Sequence, residues 1–206
     1  MTIGLAGAPL AATVLLMLAA PPAQARWVDL HAGMRTGGIV GWGSKSGTPD
    51  FFEKTRGPVM GAEVGVKLLV IDLSVSFLQV FDGGGRSGTL SQAILGFEID
   101  IPVGEARTRE GRRKLILRPG AGAGVAFGTP GPVNPPLSND QISDKGLVSQ
   151  TRLALEYNPY ALLGFGVEGD LGYHYFLGGQ VVNNSQDHSS GIHMAALATL
   201  TFHLGY

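Results

Sequence analysis

The stretch whose reading decides the fold is the last one, HMAALATLTFHLGY, residues 193–206. Large or apolar side chains at Met194, Ala196, Ala198, Leu200, Phe202, Leu204 and Tyr206 alternate with His193, Ala195, Thr199, Thr201, His203 and Gly205. One residue, Leu197, intrudes on the second set. Period two places the two sets on opposite faces of a strand. Chain ends are ordinarily polar and frayed unless something ties them down. A two-faced strand ending on an aromatic therefore predicts that this segment is paired.

Working outward, the same period returns seven more times. VDLHAGMR sets Val28, Leu30, Ala32 and Met34 against Asp29, His31, Gly33 and Arg35. VMGAEVGVKL sets Met60, Ala62, Val64, Val66 and Leu68 against Glu63 and Lys67, with glycines between them. In residues 71–81, Ile71, Leu73, Val75 and Phe77 oppose Asp72, Ser74 and Ser76. In residues 93–101, Leu95, Phe97, Ile99 and Ile101 oppose Gly96, Glu98 and Asp100. Residues 115–127 set Leu117, Val125 and Phe127 against Arg118 and three glycines. Leu153, Leu155 and Tyr157 oppose Gln150, Arg152 and Glu156, and residues 162–177 set Phe165, Val167, Leu171 and Tyr173 against Glu168, Asp170 and His174. Eight strands are predicted.

The polar face decides between the two environments open to such strands. A soluble sandwich or lipocalin-like barrel turns its apolar face to a core and its polar face, rich in Lys, Thr and Glu, to water. It rarely spends glycine in mid-strand. Here the polar face carries glycine and charges of both signs, while the other carries bulky side chains. That is the arrangement of a narrow barrel in lipid, whose tight interior takes small residues and paired charges. Closure would satisfy every backbone group, as lipid requires.

Composition narrows the function. With 15 Lys and Arg against 16 Asp and Glu, the chain has a net charge of −1, leaving no cationic excess for nucleic acid. The absence of cysteine excludes thiol catalysis, disulfides and cysteine-bound metals. At the N-terminus, LAATVLLMLAA (Leu10–Ala20) is too short for a membrane helix and suits the core of a signal peptide. Ala23-Gln24-Ala25 has the small-x-small form of a cleavage site, although no Lys or Arg precedes the apolar run. The expected organisation is a cleaved segment 1–25, with the cut between Ala25 and Arg26, followed by one barrel domain, 26–206.

The connections read as long, polar stretches at 43–57, 128–146 and 178–191, and as tight turns at Leu69-Val70 and near Asn158-Pro159-Tyr160. Long outer loops alternating with short inner turns are expected of a membrane barrel. The exception is the basic stretch 102–114, expected to be a solvated turn.

In its terminal strand, its signal segment and its eight alternating strands, the mature chain resembles the small outer-membrane β-barrels of Gram-negative bacteria, the OmpA membrane domain, OmpX and OmpW types. The resemblance implies an all-β, eight-stranded antiparallel transmembrane barrel in the cell outer membrane. It implies contact with outer-membrane lipids and lipopolysaccharide. Phe202, Leu204 and Tyr206 would be the assembly signal read by the barrel-insertion machinery. It also implies a structural role, as a platform or anchor for an envelope complex in adhesion, secretion or surface motility. A narrow channel for small or apolar solutes is the alternative, and a lipid-modifying enzyme the third.

The inward charges are the candidate site: Asp29, Arg35, Glu63, Lys67, Asp72, Glu98, Asp100, Arg118, Arg152, Glu156, Glu168 and Asp170. Charges in a narrow lumen are costly unless paired, so a plug of ion pairs is expected. His31, His174, His193 and His203 share the inward phase or strand edges and are expected to pair there rather than to bind metal. DHSSGIH (187–193) offers His188 and Ser190 as a base and nucleophile, faintly similar to lipid A deacylase barrels. Gly191 follows the serine, however, and no acid lies beyond Asp187, so no catalytic residue is assigned. The run from Gly120 to Gly124 lacks the Lys-Ser/Thr and helix of a phosphate loop and is assigned to a tightly packed strand. No cofactor is implied.

Overall fold

The computed structural model describes residues 28–44, 55–81, 87–109, 111, 113–130, 144–182 and 185–205. The expected segment 1–25, its cut at Ala25-Arg26, and Tyr206 lie outside them. So do most of the first and second long connections, 43–57 and 128–146.

Among the described residues nine strands form: β1 (Val28–Ser44), β2 (Arg56–Leu68), β3 (Ile71–Phe81), β4 (Ser87–Glu98), β5 (Ile101–Arg107), β6 (Arg113–Pro130), β7 (Asp144–Tyr160), β8 (Leu163–Val182) and β9 (Ser185–Gly205). Each pairs antiparallel with its neighbour in sequence, apart from β4 and β5, which both pair with β6. β4 runs beside residues 120–130 of β6 and β5 beside its first residues. Together β4 and β5 make one stave, so the barrel has eight. The terminal stretch closes it: β9 pairs with β1 from Asp29↔Gly205 to Ser44↔Ser190.

The broken stave departs from the sequence reading, which ran one strand through residues 93–101. At Ile99 and Asp100 the ladder stops: the Glu98 amide donates to Val70 O (2.8 Å) and the Ile99 amide to Pro119 O (3.1 Å). The kink turns Ile99 from the expected lipid face to a buried position, 8 % exposed. The connection 178–191, expected to be a loop, is largely strand, since β8 reaches Val182 and β9 starts at Ser185, with Val182↔Ser185 paired. The side chains of Asp187 and His188 lie outside the described residues.

Burial alternates residue by residue. Leu30, Met34, Val64, Leu73, Leu95, Leu153, Val167, Leu171, Met194 and Leu204 are all roughly half exposed, between 47 and 65 %. A soluble monomer rarely exposes a contiguous apolar surface of more than a few hundred Å², whereas this belt encircles the whole barrel. Aromatic side chains mark both edges of the belt. Trp42, Phe81, Phe127 and Tyr173 lie toward the long connections, and Phe97, Tyr157, Phe165 and Phe202 toward the short ones. The main staves run from 11 residues in β3 to 21 in β9, enough to cross the hydrocarbon layer when tilted.

Candidate functional site

The inward side chains form two storeys. Near the short turns and the chain ends, the lumen is filled with charge. Lys67 Nζ donates to Glu98 Oε1 (3.1 Å) and Asp100 Oδ1 (2.5 Å). Arg118 Nε donates to the same Asp100 oxygen (3.0 Å), and its Nη1 to Glu156 Oε2 (2.6 Å). His203 joins the far wall, with Nε2 3.2 Å from Glu156 and Nδ1 2.8 Å from Asp29 Oδ2.

A second layer lies above. Arg152 grips Glu63 with two nitrogens, Nη1 to Oε1 at 3.0 Å and Nη2 to Oε2 at 2.8 Å. This fork-on-fork geometry suits a guanidinium and a carboxylate. The Nε of Arg152 lies 3.5 Å from Glu168 and 3.4 Å from Asp170. Arg35 Nη2, on the strand beside that of Glu63, reaches Glu63 (2.6 Å) and Glu168 (3.2 Å). His31 Nε2 stands 3.8 Å from both Glu63 and Asp72. The structure thus brings the twelve inward charges named from the sequence into two layers. Their register across β1, β2, β7 and β8 puts oppositely charged side chains at the same height.

Glycine makes room for them. A Cβ at Gly65 would run into the His31 ring, and one at Gly164 into the Glu156 side chain. The space left over is small. The cavity among Asp29, Arg35, Glu63, Arg118 and Glu156 is about 40 Å³ and a second one beside Asp72 is about 30 Å³. Each holds only a few waters.

The upper storey is one that the sequence reading missed. Toward the long connections, Ile39, Val59, Leu78, Val80, Leu90, Val148, Phe176 and Leu197 pack into an apolar core inside the barrel. Leu197, the intruder in the terminal stretch, is 3 % exposed and belongs here. Between the storeys, Gln92 Nε2 lies 2.8 Å from His174 Nε2, and His174 Nδ1 lies 3.2 Å from His193 Nδ1. His174 stacks on Phe176 with ring centroids 5.5 Å apart. Among the described residues no cluster of three or more His, Cys, Asp or Glu is arranged to hold a metal ion.

Of the expected assembly signal, Phe202 and Leu204 face outward, 53 and 61 % exposed. They sit in the closing strand opposite Ala32 and Leu30.

A closed eight-stranded barrel with an apolar belt outside and a lumen filled with paired charges toward the short turns is a transmembrane β-barrel of the outer-membrane type. The chain has that fold, and its lipid-facing belt places it in the outer membrane.

No protein-family model matches the chain, and no curated protein matches it. Similar solved structures are outer-membrane barrels. One is Neisserial surface protein A, NspA, at 12 % identity and a TM-score of 0.47, covering 85 % of this chain and 97 % of that one. A second is the N-terminal barrel domain of Pseudomonas aeruginosa OprF, at 16 % identity and a TM-score of 0.46, covering 88 and 100 %. A third is OprG from the same organism, at 10 % identity and a TM-score of 0.43, covering 87 and 98 %.

Proposed function

We propose that this chain is a non-catalytic outer-membrane barrel whose lumen is closed and which serves as a structural platform or anchor for an envelope complex. The observation that supports the reading is the two-storey filling of the lumen: ion-paired layers at one end, an apolar core at the other, and voids of only about 40 and 30 Å³. An ion crossing this barrel would have to break the Arg152–Glu63 fork and then pass Leu197 and Phe176. A barrel that neither conducts nor catalyses acts through its outer surface and its ends, which favours contact with lipopolysaccharide and partner proteins. The outward alternation of Phe202 and Leu204 fits a strand handled by the insertion machinery.

Planar-bilayer recording of the refolded protein tests the reading. The expected result is little current. A large and steady wild-type conductance would replace the platform with a narrow channel. Mass spectrometry of lipid A from cells with and without the protein tests the enzymatic alternative, and the expected spectra are identical.

A further inference from the structure

The basic stretch 102–114, expected to be a solvated turn, is exposed along β5 and also carries strand pairing. Its described residues form a hairpin at the end of the barrel that carries the short turns. β5 and the start of β6 pair through Ile101↔Leu117, Val103↔Leu115 and Arg107↔Arg113. The tip closes with the Gly111 amide donating to Thr108 O (3.1 Å), and Gly111 takes φ +83°. Two arginines brace it: Arg107 Nη1 donates to Gly111 O (2.8 Å) and Arg113 Nη1 to Gly104 O (2.9 Å). These contacts hold both guanidiniums on the hairpin, away from the lumen carboxylates.

The charge is concentrated. Five of the chain's 15 lysines and arginines fall between positions 107 and 114, against Glu105 and Glu110 nearby, although the whole chain is almost neutral. The surroundings are apolar. The neighbouring turn exposes Leu68, Leu69, Val70 and Ile71, each between 42 and 49 %, and the β7–β8 turn exposes Leu162 at 55 %. Acyl chains therefore reach the rim itself. At the hairpin's base, Val103 (39 % exposed) and its partner Leu115 continue this apolar surface. Arg107 and Arg113 lie further along β5 and back along β6, by about 7 to 13 Å at 3.3 Å per residue. That is the depth of the headgroups beside a hydrocarbon boundary.

We propose that the β5–β6 hairpin is a docking surface for anionic phospholipid headgroups in the leaflet on the short-turn side of the membrane. Arg107, Arg109, Arg113 and Lys114 contact the phosphates, and Val103 and Leu115 the first acyl methylenes. Basic residues beside a membrane attract anionic lipid by about fivefold in affinity per charge, and salt screens the attraction. Continuity with the lipid-facing belt favours a lipid over an acidic protein.

The test is native mass spectrometry of the refolded full barrel titrated with phosphatidylglycerol or phosphatidylcholine. The wild type should retain phosphatidylglycerol at least about fivefold better, and 0.5 M salt added during the titration, before exchange into volatile buffer, should erase the difference. Replacing Arg107, Arg109, Arg113 and Lys114 by glutamine, which leaves Arg112 as the stretch's one cation beside Glu105 and Glu110, should abolish the preference, and R107K/R109K/R113K should keep it. Should the fourfold variant fail to fold, R109Q/K114Q leaves both bracing arginines in place and should still reduce the preference. A wild type without headgroup preference, or glutamine variants that keep it, would overturn the proposal. Because the barrel is already folded and inserted, failure here would leave the closed-lumen reading untouched.

Discussion

Arg152→Met removes the guanidinium that joins three carboxylates, while the methionine keeps most of the bulk of the arginine stem. The perturbation is therefore one of charge rather than of volume. Glu63 loses the two-nitrogen grip at 3.0 and 2.8 Å but keeps Arg35 at 2.6 Å. Glu168 keeps Arg35 at 3.2 Å, and Asp170 loses the guanidinium at 3.4 Å. Unpairing a buried charge costs about 3–5 kcal/mol. Because Arg35 still serves two of the three acids, the expected loss is at the low end, about 3 kcal/mol, or roughly a hundredfold in the unfolding constant. Urea unfolding in lipid vesicles reads it, with Trp42, 54 % exposed on the lipid face, as the fluorescent probe and unchanged m-values confirming that the same transition is compared. Urea is chosen because an ionic denaturant would itself screen the pair. Adding Glu63→Gln to the same protein should cost less than it does in the wild type, because the two residues share one interaction. A loss below about 1 kcal/mol, the median range for solvent-exposed pairs, would refute the reasoning and show the layer to be open to water.

Other predictions follow from the same geometry. N-terminal sequencing of the membrane-inserted protein should begin at Arg26, and recovery of the intact Leu10–Ala20 run would contradict the proposed organisation. Phe202→Arg places a cation on the lipid face of the closing strand, worth roughly 2–4 kcal/mol at the midplane and less near the interface. It should lower the inserted fraction, measured by heat-dependent gel mobility, far more than the same change within residues 178–190. Gly172→Ala would push a methyl group into the His193 ring and should lower the unfolding free energy by about 1–3 kcal/mol as an overpacked core, read as a lower urea midpoint at unchanged m-value. If the Arg152→Met barrel leaks, the eight inward carboxylates facing the remaining Arg35, Lys67 and Arg118 should make the leak cation-selective, as a reversal potential under a salt gradient would report.

How much of this could be read from the chain depends on which residues sat on the second face. Where that face was glycine and charge, as from Asp29 to Arg35 or from Glu63 to Lys67, period two separated lipid from lumen without ambiguity. Where the lumen itself becomes apolar, at Leu78, Val80, Leu90 and Phe176, both faces of the strand carry similar residues and the pattern falls silent. Leu197 looked like a flaw in the terminal alternation for that reason. The pairing partners were illegible for a different one: period two fixes the direction of Arg152 and Glu63, whereas their meeting depends on the register of strands 89 residues apart in sequence. The break at Ile99-Asp100 leaves no trace in the periodicity, because Ile99 and Ile101 keep the apolar phase of Leu95 and Phe97 although the ladder stops between them. The basic cluster at 107–114 was visible as composition, but not its folding into a braced hairpin, which rests on backbone acceptors at Gly104 and Gly111.

The central claim is the phase of the strands, that one set of residues faces lipid and the next faces a filled, closed lumen. The chain contains no cysteine, so single cysteines can be introduced on an unmodified background. Spin labels at Leu153, Leu171 and Met194 should collide freely with lipid-dissolved oxygen, while those at Gln150 and Leu197 should be shielded from both oxygen and a water-soluble nickel chelate. Leu197 is the most direct of these positions, because its neighbours Ala196 and Ala198 provide the opposite face within one step. A label at 197 that is as oxygen-accessible as one at 194, or that is readily quenched from water, would contradict the account.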